Sequence, residues 1–192
     1  VKAPNNLFQL SGRFNPSLKL GTTMNWIYVN CAKNRQSKYF GYLDQDCFLM
    51  DEIDLTDHLD IKYMYGPLSF SKKYPHAWNL HVTSNFYNYE YIKNYGLDFR
   101  ASHEYELDTG GANYNVIYNK LNSKDYEMDL RGFRYFEYDI GDADTFQYYT
   151  LHDHKWLHMC GSTGKNVVGV DTKVAYIKGF LDCILHRNDK AF

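Results

Sequence analysis

No stretch of this chain is apolar for the roughly 18 residues that a membrane-spanning helix needs, so no integral membrane segment is expected. No charge of one sign dominates either: 21 Lys and Arg stand against 23 Asp and Glu, giving a formal net charge of -2. The charges interleave, with no basic or acidic tail, which argues against nucleic acid or an anionic membrane as a partner. C-x-x-C spacing is absent among Cys31, Cys47, Cys160 and Cys183. Scattered thiols in a chain of this length read as reduced cysteines in a cytoplasmic protein, not as a disulfide framework. Internal repeats, low-complexity tracts and Pro/Gly/Ser linkers are also missing, so residues 1–192 are expected to form a single compact domain. The first residue is Val1 and not Met, so the absence of a targeting segment says little about location.

What is present is a large apolar fraction and many aromatic rings. At 44% hydrophobic residues the chain can bury a substantial core. Aromatics reach 18%, with 19 Tyr, 12 Phe and 3 Trp. Such rings suit stacking on sugars, but AT-rich coding enriches Tyr, Asn, Lys and Phe alike, so composition argues nothing about a ligand.

The local patterns alternate helix and strand. Residues 1–20 are turn-rich and read as loop with at most a short strand. Thr22 or Thr23 is placed to cap a helix through Met24, Ile27, Tyr28 and Cys31. Tyr39-Phe40-Gly41-Tyr42-Leu43 reads as a short, fully buried strand ended by Asp44. Glu52–Leu59 reads as a short helix or turn, Lys62–Leu68 and Ala77–Val82 as strands, and Phe86–Asn94 as a helix stopped by Gly96. After the tight turn at Thr109-Gly110-Gly111, Ala112–Leu121 looks helical, and Arg134–Tyr138 and Lys155–Cys160 look like strands. Val174, Ile177, Leu181 and Ile184 line one face of a final helix over Asp171–His186. Helix, buried strand and acidic turn in that order are α/β grammar.

Asp44-Gln45-Asp46 carries the first chemistry. Two carboxylates one residue apart, at the carboxyl end of a strand, stand where open α/β sheets bind ligands. Both can reach one hard divalent ion, Mn²⁺ or Mg²⁺, which prefers oxygen ligands and is commonly shared with substrate phosphates. By spacing alone, D-x-D is equally a solvated turn or a helix cap.

Three segments in order carry a family resemblance. Tyr39–Phe48, with its Asp44-Gln45-Asp46, resembles the strand and D-x-D motif of GT-A glycosyltransferases, and Asn25-Trp26-Ile27-Tyr28 is similar to the helix that enters that strand. Leu107-Asp108-Thr109-Gly110-Gly111-Ala112-Asn113-Tyr114 resembles their glycine-containing acceptor-side turn, and Trp156-Leu157-His158-Met159-Cys160-Gly161 the segment whose histidine adds a metal ligand in part of the family. The resemblance implies a GT-A-like, Rossmann-like mixed sheet flanked by helices, with a donor and metal half over about 1–60 and an acceptor half over about 61–192. It implies a nucleotide-sugar donor, a saccharide or glycoconjugate acceptor, and a divalent ion held by Asp44, Asp46 and His158. Asp108 becomes the candidate base for the acceptor hydroxyl, with Glu104 and Glu106 behind it. Trp78, His81, Thr109, Gly110, Gly111 and Gly161 become candidate substrate contacts. Surface polysaccharide or glycoprotein synthesis is the setting so implied. Only 43 residues precede Asp44, fewer than two βα units occupy, so the base-and-ribose part of the donor pocket is expected to be truncated.

Each of these residues has a plainer reading: Asp108 as a turn cap, His158 and Trp78 as core residues. Gly161-Ser162-Thr163-Gly164-Lys165 suggests a phosphate loop, but Met159 stands where its first glycine belongs and Asn166 where Ser or Thr would hold Mg²⁺. His152, His154 and His158 would share one face of a continuous strand. With Asp142 and Asp144 they support an alternative metal-dependent hydrolase or nuclease. A non-catalytic carbohydrate-binding module using exposed Tyr and Trp is the third possibility.

Overall fold

The computed structural model describes residues 16–35, 37–122, 126–127, 134–138, 147–153, 155–159 and 178. Its first element, α1 (Pro16–Ile27), runs through a π-helical turn (Tyr28–Ala32) into α2 (Lys33–Arg35). Proline suits a first helical turn, where no N–H is needed. The helix therefore begins before Thr22 and Thr23, and neither caps it. Both hydroxyls donate back to carbonyls four residues earlier, those of Leu18 and Lys19. Gly21, Met24, Tyr28 and Ala32 form its buried face. At Gly21 a Cβ would stand 2.5 Å from the Phe99 carbonyl oxygen, so the helix lies directly on the 98–100 segment. Asn25 bolts the two together, accepting from the Phe99 amide at 2.8 Å and donating to Asp98 at 2.9 Å.

Strand β1 (Tyr39–Leu43) leads through Asp44-Gln45-Asp46 into β2 (Cys47–Leu49), followed by α3 (Leu55–Leu59), β3 (Met64–Tyr65), β4 (Leu68–Phe70), β5 (Trp78–Leu80), β6 (Ser84–Asn88) and α4 (Tyr89–Ile92). Then come α5 (Asn113–Val116), a 3-10 turn (Tyr118–Lys120), β7 (Tyr126–Glu127), β8 (Arg134–Tyr138), β9 (Gln147–His152) and β10 (Trp156–Met159). The strands form one sheet of order β1-β6-β3-β7, a second of order β2-β10-β9-β8, and the hairpin β4-β5. All pairings are antiparallel except β3 with β7. The chain is thus a mixed α/β protein with small, mainly antiparallel sheets and short helices. Among the described residues no helix is long and apolar enough to cross a membrane.

Several elements differ from their sequence reading. β1 is half buried, not fully: Gly41 and Leu43 are exposed while Phe40 and Tyr42 pack against the core. The tract read as a helix over Phe86–Asn94 is strand as far as Asn88, because Phe86 and Tyr87 pair with both β1 and β3. Only one turn follows, capped by the Asn88 side chain, which accepts from the Glu90 amide at 3.0 Å. Ala112–Leu121 is helical in two short pieces. The helix read over Asp171–His186 lies outside the described residues except for Lys178, which is helical.

The main core gathers Met24, Tyr28, Met64, Leu80, Tyr87, Ile92, Phe99, Ile117 and Tyr118 from the first helix, the first sheet, the β4–β5 hairpin, α4 and the 99–118 segment. Phe40 stacks on Tyr87 at 5.1 Å, and the Tyr87 and Tyr118 hydroxyls pair at 3.2 Å. A smaller cluster of Cys47, Leu59, Tyr65 and Trp156 joins the two four-stranded sheets beneath the Asp44–Asp46 turn.

Candidate metal centre

Asp44-Gln45-Asp46 is the crossover from the first sheet to the second, since β1 belongs to one and β2 to the other. The Asp44 amide donates to the Thr83 carbonyl at 2.9 Å, and the Cys47 amide closes the turn onto the Asp44 carbonyl at 3.1 Å. On β2, Cys47 lies opposite His158 of β10. Asp46 directly precedes Cys47 and so meets the imidazole across the strands, with His158 Nε2 3.4 Å from Asp46 Oδ1. Ligand atoms of Asp44, Asp46 and His158 all lie within 4.8 Å of one another. A divalent ion with donors at 2.0–2.1 Å separates neighbouring donors by about 3 Å and opposite ones by about 4 Å. Two carboxylates and an imidazole at this spacing need only a small contraction to share one ion. The donor set suits Mn²⁺, and suits Mg²⁺ less because of the nitrogen. The Asp46 and His158 side chains are 16% and 9% exposed, while Asp44 is half-buried.

Two further imidazoles stand beside His158. His81 lies 5.9 Å from it and His152 6.3 Å, ring centre to ring centre, and His81 and His152 are 6.5 Å apart. His152 and His158 share a face because β9 and β10 form a hairpin in which Trp156 opposes His152 and His158 opposes Thr150, a diagonal offset of two. The chain reverses at Asp153, which has φ 51, and the Lys155 amide donates to the His152 carbonyl at 3.0 Å. The continuous strand that would align His152, His154 and His158 is therefore absent, and His81 of the β5–β6 connection completes the group. Burial, reinforced by His158, lowers the His81 pKa to about 4, against the pull of Asp108 and Asp46 in the opposite direction. His152 falls to about 3, through burial and then its two histidine neighbours. Both are neutral near pH 7. His81 Nδ1 lies 3.2 Å from the Thr83 hydroxyl and 3.4 Å from the Thr83 amide, which donates to it. Cys47 is inert by comparison: burial first, then Asp46 and Asp44, push its thiol up to about 12.

The glycine turn is brought to the same region. Asn79, fully buried on β5, donates to the Leu80 carbonyl at 2.9 Å and to the Thr109 carbonyl at 3.0 Å, pinning the turn to the strand that leads into His81. Gly110 has φ +88, a conformation that favours glycine. A Cβ on Gly111 would stand 2.4 Å from that of Leu107. Thr109 is buried, and its hydroxyl reaches the Ser17 carbonyl at 3.3 Å. Asp108, exposed at the turn, accepts from the Thr109 amide at 2.7 Å and lies near enough for its charge to act on His81. Its turn-capping bond is therefore present, as the plainer reading has it.

Other sequence candidates fall elsewhere. Trp78 is a core residue, 7% exposed and stacked on Tyr118 at 4.7 Å. Glu104 is exposed and accepts from Asn115, and Glu106 pairs with Lys73 at 3.5 Å. Gly161, His154, Asp142 and Asp144 lie outside the described residues. Asn79 and the β9–β10 hairpin were not singled out by sequence reasoning. An Asn on a strand bears no mark of the turn thirty residues away that it holds.

No family model, no curated protein and no solved structure matches this chain.

Proposed function

We propose that this chain is a metal-dependent glycosyltransferase of the GT-A kind, in which Asp44, Asp46 and His158 hold Mn²⁺ or Mg²⁺ at the diphosphate of a nucleotide-sugar donor. The observation that carries this reading is the convergence of Asp44, Asp46 and His158 within 4.8 Å, from segments more than a hundred residues apart in sequence. When bound, the ion supplies charge to offset that of the departing diphosphate. The residues around it do the rest. Asp44 and Asp46 present hard oxygens from a turn clamped to Thr83. His158 offers a nitrogen fixed by two neighbouring strands. Asp108, exposed at the glycine turn, is the candidate to accept a proton from a saccharide or glycoconjugate hydroxyl if the reaction inverts. Support comes from the site and not from the sheet order.

Calorimetric titration with UDP and with GDP, each with and without Mn²⁺, tests the reading on wild type and on Asp44→Ala/Asp46→Ala. Binding that needs the ion and disappears in the double variant is expected. Metal-dependent nucleotide binding left unchanged by the double variant would sink it.

The grouping of His81, His152 and His158 favours a second reading, a metal-dependent hydrolase in which imidazoles are the principal ligands. That enzyme would hold Zn²⁺ or Mn²⁺ tightly in the double variant and lose it in His152→Ala/His158→Ala.

A further inference from the structure

Strand β1 is a sheet edge. It stands at the end of the order β1-β6-β3-β7 and pairs with β6. Two bonds fix which of its main-chain groups are used: the Tyr89 amide donates to the Lys38 carbonyl at 2.7 Å, and the Asp44 amide to the Thr83 carbonyl at 2.9 Å. Alternation along the ladder then turns the N–H and C=O groups of Phe40 and Tyr42 toward β6 and those of Tyr39, Gly41 and Leu43 away from it. No other strand meets these outward groups among the described residues. Gly41 and Leu43 are exposed, Leu43 to 51%. Proteins commonly blunt such an edge with Lys, Pro or a bulge. Tyr-Phe-Gly-Tyr-Leu contains neither residue, and its register runs without a break.

Helix α1 extends this surface. The Tyr42 hydroxyl donates to the Met24 carbonyl at 2.8 Å, and Tyr28 lies 5.5 Å from Phe40, so Met24 and Tyr28 mark the line where the helix meets β1. To one side of that line, Gly21 and Asn25 rest on residues 98–100. Phe99 packs on Tyr42 and Tyr87, inward of the edge. The other flank of the helix, turned toward the free edge, carries Leu20 and Ile27, two turns apart. They are 38% and 37% exposed.

A second copy of the strand matches this edge. Antiparallel pairing about Gly41 sets Gly41 against Gly41 and Tyr39 against Leu43, so each outward-facing residue meets an outward-facing one. The same register brings Lys38 opposite Asp44 at both ends, a complementary charge pair, and opposes no like charges. Lys38, bonded to Asp60 at 2.6 Å, keeps two further N–H donors. A carboxylate offers about four acceptor positions, enough for Asp44 to serve an ammonium and an ion together. The two-fold axis is normal to the sheet, so both copies of α1 lie on one face with their Leu20–Ile27 flanks toward each other. We infer that this chain forms a two-fold dimer in which β1 pairs with β1 of a second copy to make one continuous sheet.

Sedimentation velocity without added metal reads mass against concentration, and amide hydrogen exchange reads the edge. A dimer should form as concentration rises, and exchange at Gly41 and Leu43 should slow in step. Leu43→Lys and Ile27→Glu should each weaken it at least about tenfold. Lys38→Glu, which sets like charges opposite one another at both ends, should weaken it as well. Spectra away from β1 and α1 should stay as in wild type in each variant. A monomer up to about 1 mM, a dimer whose edge amides exchange as fast as the monomer's, or a dimer indifferent to Leu43→Lys would each overturn the inference. Edge amides protected at every dilution would overturn it too, and would assign the edge to a segment of the same chain.

Discussion

At the scale of single residues, burial and neighbouring charge set the two imidazoles beside His158, with Asp108 and Asp46 opposing burial at His81 alone. For His81 and His152 burial wins, with pKa values near 4 and 3. The unfolded chain titrates these rings near 6.5. Between that value and the folded ones the unfolded state binds more protons, so stability is complete above about pH 6.5 and falls as pH drops toward 4 and then 3. The loss is on the order of a few kcal/mol. Denaturant midpoints measured from pH 7 to pH 4 should fall, and fall less steeply in His152→Gln; a flat profile would contradict the buried neutral pair. Gly110 makes a second residue-scale test. With φ +88 it tolerates no side chain without strain, so Gly110→Ala should cost about 1–2 kcal/mol, read as a lower thermal midpoint.

At the scale of elements, the site depends on how three pieces of chain are held against one another. The D-x-D turn hangs between two sheets and is fixed by the Thr83 carbonyl. The β9–β10 hairpin brings His158 to it across β2. The glycine turn is held by the Asn79 amide. Asn79→Ala removes two buried hydrogen bonds and leaves both carbonyls short of a donor. It should destabilise the protein by about 2 kcal/mol, or about 5 °C in Tm. On the proposed glycosyltransferase reading, with Asp108 riding on that turn as the base, transfer to acceptor should fall further in Asn79→Ala than metal affinity does, a split that a purely global loss of stability would not give. Element type was readable where period and composition agreed: Arg134–Tyr138 was delimited from its aromatic run, and Trp156–Met159 lies within the predicted Lys155–Cys160. It was misread where local pattern and tertiary pairing conflict. Phe86, Tyr89, Tyr91 and Ile92, in mixed spacing, read as a helix, yet pairing on both sides holds Phe86 and Tyr87 in a strand.

At the scale of the whole molecule, Asp44 and Asp46 were legible as carboxylates at a strand end, and His158 through the family resemblance of its segment. Their meeting was not deducible from spacing, since it depends on β10 pairing with β2, a contact across more than a hundred residues. His81 illustrates the same limit from the other side. The family resemblance offered it as a substrate contact, and the sheet packing puts it beside His152 and His158, within reach of the charge of Asp108. The candidate metal group takes its carboxylates from residues 44 and 46 and its imidazole from residue 158.

The most direct test of the central claim asks whether one divalent ion touches all three side chains. Mn²⁺ titrated into the protein and followed by electron paramagnetic resonance should show an ion bound with nitrogen coupling from an imidazole. His158→Ala should abolish that coupling while weakening affinity about 10- to 100-fold, and Asp44→Ala/Asp46→Ala should abolish binding. Unchanged Mn²⁺ affinity in the double variant, or a bound ion whose nitrogen coupling survives His158→Ala, would contradict the assignment of Asp44, Asp46 and His158 as one metal centre.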